Sequence, residues 1–158
     1  MRKTLEIAAL LLLLFIWADT AKAVLGSNPL PARIPTHFNA AGHPDGWGSP
    51  AMLWLIPVMA AGVYLLMSLV ARYPSSFNFP MRIHPAARHG LEGVALRMLS
   101  WLKAEVICLF ACIQYKTIEF ARSAEGRLSP LFLPAVLVVV FGTIAWHIGA
   151  MRRAARAQ

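Results

Sequence analysis

An apolar segment without a single charged residue, 51–71, constrains the fold of this chain more than any other feature. A run of about 20 apolar residues is the length at which an α-helix crosses the hydrocarbon core of a bilayer. Two further long apolar runs, 5–25 and 128–151, lie on either side of it. Hydrophobic residues make up 58% of the chain. These runs predict an integral membrane protein rather than a soluble domain.

A further span, the third along the chain, is predicted over residues 98–121, between the runs 51–71 and 128–151. Only residues 106–115 are free of charge, and that stretch is too short to cross a membrane alone. The longer segment is long enough, provided that Lys103 and Lys116 extend their ammonium groups toward opposite membrane surfaces. Residues 85–102 have an amphipathic pattern and form a helix that either lies on the membrane or leads into this span.

The predicted fold class is therefore all-α: a single membrane domain, 1–158, with four transmembrane helices and an interfacial helix before the third span. The first run also allows a cleaved signal peptide, because Arg2 and Lys3 precede it and Ala21-Lys22-Ala23 resembles a cleavage site. Glu6 is unusual in such a peptide and favours a retained span. Pro57 should kink the second span unless a neighbouring group bonds the carbonyl that it frees.

The orientation follows from the basic residues, which account for the net charge of +8. Cytoplasmic loops of membrane proteins are enriched in Lys and Arg. One side of the predicted membrane holds Arg2, Lys3, Arg72, Arg82, Arg88, Arg97, Arg152, Arg153 and Arg156. The other side holds Arg33, Lys116, Arg122 and Arg127. Both termini and the connector 72–97 are thus expected in the cytoplasm, and the loop 26–50 outside a bacterial inner membrane.

The outer loop has the composition of an ordered cap rather than a flexible linker. Prolines predict extended backbone, with a short strand over 33–39 whose residues Ile34, Thr36 and Phe38 share one face. Pro44-Asp45-Gly46 predicts a turn, after which Trp47 can fold onto Phe38 or the membrane. Ser49 is suited to cap a helix that begins at Pro50.

These loop residues resemble a family signature. The matching positions are Leu30-Pro31, Ile34-Pro35, His37-Phe38, Gly42, Asp45, Trp47-Gly48 and Ser49. They resemble the bacterial membrane domain of unknown function 1648, which also forms the amino-terminal part of SdpI-like toxin-immunity proteins. Asn78-Phe79-Pro80 and residues 98–102 are similar to later segments of the family. The chain departs from the pattern at Pro50, usually a lysine, and at His84-Pro85, usually threonine-proline.

The candidate binding residues lie in this loop and are Pro35, His37, Phe38, Asn39, Asp45, Trp47 and Ser49. His37, His43 and Asp45 are also possible zinc ligands by residue type, but no fourth ligand is evident. We predict no metal site. His37 is expected to form a structural hydrogen bond, with a pH-responsive contact as the alternative.

A second set of candidates forms a polar stripe in the third span: Glu105, Cys108, Cys112 and Lys116, continued by Glu119. Their helical spacing indicates either a buried relay or small packing residues flanked by interfacial charges. The sequence contains neither G-x-S-x-G nor H-E-x-x-H, so no catalytic residues are predicted.

The predicted function is recognition, immunity or signal relay through the outer loop, without enzymatic activity or a cofactor. The expected partners are the lipid bilayer and an extracytoplasmic peptide or protein, and not nucleic acid. The alternative is a membrane enzyme or transport component that uses the loop histidines and the polar stripe.

Overall fold

The computed structural model describes residues 2–79, 84–123 and 128–156, and these are mostly helical. The α-helices are α1 (Arg2–Leu25), α2 (Leu55–Val70), α3 (Arg88–Ser123) and α4 (Phe132–Arg156). A β-hairpin, formed by strands β1 (Ile34–Phe38) and β2 (Pro44–Gly48), connects α1 to a 3-10 helix at Pro50–Trp54 that precedes α2. Short 3-10 helices also lie at Pro74–Ser76 and Pro85–Ala87. The hairpin is the departure from the predicted all-α class.

Within the described ranges, three helices are long and apolar enough to cross a membrane: Arg2–Leu25, Pro50–Val70 and Phe132–Ala155. Their outward side chains are large and exposed, as expected of surfaces that contact lipid. The chain is thus a membrane protein. The predicted third span is not one of these three segments, so the four-span arrangement and the cytoplasmic termini stay predictions.

Helix α3 is the centre of the packing, because α1, α2, α4 and the hairpin all contact it. Ile16 of α1, Ala60 of α2 and Ile107 of α3 are fully buried together. The 36 residues of α3 form one continuous helix. The structure therefore does not contain a separate interfacial helix before the predicted third span; residues 88–102 lead directly into it.

Pro57 lies in the first turn of α2, which begins at Leu55. The carbonyl that a proline frees belongs to the residue four positions earlier, here Leu53. That carbonyl accepts a hydrogen bond from Nε2 of Gln114 at 3.1 Å. The neighbouring helix α3 thus satisfies the group that Pro57 leaves without its helical partner.

Lys103 is buried among the helices rather than exposed, and its predicted extension toward a membrane surface stays a prediction. Its side chain is only 2% exposed, and Nζ lies 2.7 Å from Oε2 of Glu6 and 2.8 Å from Oγ of Ser68. Oγ of Ser100 donates to the other oxygen of Glu6 at 3.0 Å. These four residues form the Glu6–Lys103 cluster. A buried ammonium is tolerated because a carboxylate and a hydroxyl replace its water.

Three residues named in the sequence analysis, Pro80, Arg82 and Arg127, lie outside the described residues.

Candidate functional site

The β-hairpin has its turn in a different position from the predicted one. Strand β1 lies within the predicted stretch 33–39, but Pro44-Asp45-Gly46 belongs to strand β2. The chain reverses between Asn39 and His43 instead. Oδ1 of Asn39 accepts hydrogen bonds from the backbone N–H groups of Ala41 and His43, both at 3.0 Å. This side-chain bonding fixes the turn and makes Asn39 a structural residue.

Gly42 holds the turn against the segment that leads into α4. Its φ is +82°, in the left-handed region that favours glycine. The backbone N–H of Leu128 donates to the carbonyl of Gly42 at 3.0 Å. A Cβ atom on Gly42 would lie 1.9 Å from the Leu128 carbonyl oxygen. The close approach of the two backbones therefore requires glycine here.

The predicted alternation of faces along β1 is not observed. Ile34 and Pro35 are both buried, whereas Thr36 is exposed. The pairing is irregular between Pro35 and His37 and again between His37 and Phe38, which shifts the side chains relative to an ideal strand. Pro35 is thus a buried residue, and it lines the recess beneath the hairpin.

Phe38 and Trp47 anchor the hairpin on α3 through a common partner, Phe120. The ring centroids lie 6.2 Å from Phe38 to Phe120 and 6.0 Å from Trp47 to Phe120, both in edge contacts. Trp47 remains 48% exposed. Such edge contacts are favourable arrangements for aromatic rings. The sequence analysis missed Phe120, an aromatic residue near the end of α3.

His37 and Asp45 form a pair across the two strands. Nδ1 of His37 lies 2.5 Å from Oδ1 of Asp45, and the side chains are 71% and 45% exposed. His37 was expected to form a structural hydrogen bond, and its partner in the structure is the side chain of Asp45. His43 is exposed. In the described part of the chain, no group of three or more His, Cys, Asp or Glu residues is arranged to hold a metal.

Ser49 lies at the expected N-cap position before Pro50, with extended backbone. Its side chain makes no capping hydrogen bond; its carbonyl instead accepts from the N–H of Met52 at 3.0 Å. Ser49 therefore marks the start of the helical segment through its backbone.

A recess of about 240 Å³ lies beneath the hairpin, between β1, the first turn of α2 and the second half of α3. Its walls are mostly apolar and include Leu53, Ile56 and Ile113. Gln114 also lines it and is 1% exposed. Nε2 of Gln114 donates to Oγ1 of Thr20 at 2.6 Å as well as to Leu53, but Oε1 has no hydrogen-bond partner among the described residues.

An orphaned amide oxygen in such a place is uncommon, because a buried acceptor without a donor costs about 1–3 kcal/mol. The sequence analysis did not select Gln114, although it is the one amide side chain within the uncharged stretch 106–115.

The polar stripe of α3 is divided among different environments. Oγ1 of Thr143 in α4 donates to Oε1 of Glu105 at 2.5 Å. Cys108 and Cys112 are exposed, and Lys116 pairs with Glu119 at 2.6 Å on the surface. Glu105 alone in the stripe bonds another helix, so these residues do not form one connected relay.

Comparisons with known proteins identify the hairpin region as part of a recurring domain. The family model described as Domain of unknown function (DUF1648) matches residues 7–61. An uncharacterized protein from Archaeoglobus fulgidus is 35% identical over 65 residues, which cover 36% of this chain and 36% of that protein. The match thus spans about a third of the relative's own length. No solved structure matches the chain.

Proposed function

Residues 7–61 belong to the DUF1648 family, and we propose that this domain gives a four-span membrane protein its site for recognising an extracytoplasmic peptide or protein. Both termini lie in the cytoplasm of the cell, and the hairpin lies outside the cytoplasmic membrane. The protein acts by binding, in immunity or signal relay, without catalysis and without a cofactor. The toxin-immunity version rests on the resemblance to SdpI-like proteins.

Helix α3 completes the four spans in this proposal. Its charged residues are the reason for its lower mean hydropathy, but the two lysines on either side of the uncharged stretch 106–115 have acidic partners. Lys103 is neutralised by Glu6, and Lys116 by Glu119. Contacts with α1 extend from Ile107 against Ile16 to Ile118 against Ala23. Helix α3 therefore runs alongside a predicted span over about 16 Å, at 1.5 Å per residue.

The recess beneath the hairpin is the observation that carries the proposal. Mostly apolar walls with one unpaired polar atom, Oε1 of Gln114, are typical of ligand sites. Its volume of about 240 Å³ is below the roughly 300–1,000 Å³ common for small-molecule pockets. The site is better suited to one or two side chains inserted from a peptide, with an N–H or O–H donor for Gln114.

Exposed groups at the rim add specificity to this site. His37 lines the recess and also a second one of about 310 Å³ toward the start of α4. Its partner Asp45 and the half-exposed ring of Trp47 lie on the facing strand. Aromatic side chains with one accessible edge are common at the centres of protein interfaces.

The test measures peptide binding to the purified protein in lipid nanodiscs. A displayed library of random 12-residue peptides is selected against the native protein. We expect enriched peptides with an apolar residue, and binding at least 10-fold weaker in Trp47→Ala and in Ile113→Trp, which fills the recess. Cys108→Ala and Glu105→Gln are matched controls and should bind normally.

An orientation test is independent of the ligand. With Cys108 and Cys112 replaced by alanine, Trp47→Cys should react in intact cells with a membrane-impermeant thiol reagent. Labelling only after cell lysis would contradict the proposed outer position of the hairpin.

The transport or enzyme alternative is favoured by one observation, the carboxylate of Glu105 bonded to Thr143 between two helices. It requires the reverse pattern: loss of activity in Glu105→Gln and tolerance of Trp47→Ala.

A further inference from the structure

Another cavity, of about 580 Å³ and separate from the two recesses at the hairpin, lies between α3 and α4. Its polar and aromatic lining residues are Arg97, Trp101, Glu105, Thr143, Trp146 and His147. Glu105 and Phe120 are 15 residues apart on α3, or about 22 Å at 1.5 Å per residue. The cavity is therefore remote from the hairpin, and nothing in the proposed recognition of a peptide uses it.

The carboxylate of Glu105 is only half satisfied. Oε1 accepts from Oγ1 of Thr143, whereas Oε2 is buried and has no hydrogen-bond partner among the described residues. Thr143 is itself held, because its backbone carbonyl bonds Nδ1 of His147 at 2.8 Å. A buried carboxylate oxygen without a donor is costly, and ionisable groups within membrane helices usually face a cavity that they serve.

Arg97 brings the opposite charge to the same cavity. Arg97, Trp101 and Glu105 follow one another at intervals of four residues, so they share one face of α3. Arg97 and Glu105 are about 12 Å apart along the helix axis. Their side chains form no ion pair with each other in the described structure, and Arg97 is exposed. The cavity thus offers an anion site and a cation site with a tryptophan between them.

This pair of charges restricts the class of ligand. A simple organic cation would be repelled by Arg97, and a simple anion by Glu105. A zwitterion satisfies both, with its ammonium at Oε2 of Glu105 and its anionic group at Arg97. A primary ammonium also supplies the N–H donor that Oε2 lacks, which a quaternary ammonium does not.

The surroundings of the cavity indicate a position at the membrane surface. Trp101 and Trp146 are the residue type that concentrates at membrane–water interfaces. The guanidinium of Arg153 lies 5.9 Å from the ring centroid of Trp146. Earlier in α4, Val138 and Phe141 are 73% and 63% exposed and present an apolar surface to lipid chains. Basic pockets between membrane-spanning helices are common sites for lipid headgroups.

We propose that the cleft between α3 and α4 binds a phosphoethanolamine zwitterion, its ammonium on Glu105 and its phosphate on Arg97. The volume of about 580 Å³ lies within the range for a small-molecule site and accommodates a headgroup with its glycerol. The zwitterion is either the headgroup of an aminophospholipid or a soluble phosphoethanolamine ester. This inference goes beyond peptide recognition and does not depend on it.

The experiment is native mass spectrometry of the delipidated, full-length protein in detergent. Phosphatidylethanolamine, phosphatidylglycerol and phosphatidylcholine with identical acyl chains are added one at a time, and soluble glycerophosphoethanolamine is added in a fourth arm. We expect phosphatidylethanolamine to bind at least 10-fold more tightly than the other two lipids. If the soluble ester competes with the lipid at a similar concentration, the natural ligand is the soluble ester. If it does not compete, the ligand is the lipid headgroup.

Variants assign the binding to the cleft. Glu105→Gln and Arg97→Gln should each weaken phosphatidylethanolamine binding at least 10-fold. Glu119→Gln and Arg122→Gln, on the same helix but outside the cleft, are the matched controls. Arg97 is exposed, so its variant keeps the test valid even if Glu105→Gln folds poorly. Equal binding of all three lipids, or unchanged binding in Arg97→Gln, would overturn the proposal. Peptide binding is measured separately, so the two proposals can fail independently.

Discussion

The hairpin and the Glu6–Lys103 cluster each hold an acidic and a basic group in contact, but in opposite environments. His37 and Asp45 are 71% and 45% exposed and eight residues apart in sequence. Lys103 is 2% exposed, and its partner Glu6 is 97 residues away. An exposed pair contributes little to stability because water solvates each member alone. A buried pair leaves a costly unpaired charge when one member is removed. Similar contacts should therefore differ several-fold in their effect on folding.

The largest effect is expected at the buried pair. Glu6→Leu leaves the ammonium of Lys103 buried without a counter-ion and should lower the free energy of unfolding by about 3–5 kcal/mol, nearer the lower value because Glu6 is partly exposed. Thermal unfolding in detergent measures the loss. The double variant Glu6→Leu with Lys103→Met should recover most of it, since no unpaired charge remains. A double variant as unstable as the single one would show that packing, not charge, is decisive here.

The next effect concerns the backbone of the hairpin. Gly42→Ala combines a left-handed backbone with a clash against Leu128 and should cost about 2–3 kcal/mol, because the turn must move away from α4. The control is Gly62→Ala in α2, where an added Cβ meets no atom within 4 Å. Unfolding measurements on both variants should separate them clearly. Equal stabilities would contradict the close contact between the turn and Leu128.

A smaller loss is expected from the aromatic anchor. Phe120→Ala removes the ring that both Phe38 and Trp47 contact, and each aromatic pair contributes about 0.5–1.5 kcal/mol. We expect a total loss of about 1–3 kcal/mol and a red shift in the fluorescence of Trp47, measured in a variant whose other tryptophans are phenylalanine. Phe141→Ala, at a position 63% exposed, is the control and should leave the emission unchanged.

The smallest effect is expected at the exposed pair itself. Asp45→Asn should change the free energy of unfolding by less than about 1 kcal/mol. This change should become smaller still at high salt, because salt screens the charges. Denaturation at low and high salt tests this. A loss as large as that of Glu6→Leu would remove the contrast between the two environments.

The two pairs also differ in the sequence distance between their members, and this distance explains which features of the fold were predictable from the sequence. The apolar runs, strand β1 and the N-cap position of Ser49 depend on neighbouring residues, and their positions were predicted. The turn was misplaced because Asn39 bonds the backbone two and four residues ahead, an alternative to the proline-glycine turn that composition alone favoured.

Partners distant in sequence could not be predicted from one chain. The buried pairing of Lys103 was missed because nothing near it in sequence indicates Glu6. Gln114 and Phe120 were missed for the same reason: their roles depend on Thr20, Leu53 and the hairpin. The candidate loop residues stay predictions as a binding site; in the fold, Pro35 is buried and Asn39, although exposed, bonds the turn of the hairpin.

The unbroken length of α3 has a mechanical consequence. Its 36 residues extend about 54 Å at 1.5 Å per residue, whereas the hydrocarbon core is about 30 Å thick. With α3 across the bilayer, about 24 Å of helix, or roughly four turns, extends beyond the hydrocarbon core. Leu91 near the start of α3 packs on Met151 near the end of α4, so the projecting part is braced by a second rod. A partner protein on that side of the membrane would therefore meet a stiff pair of packed helices instead of a flexible tail.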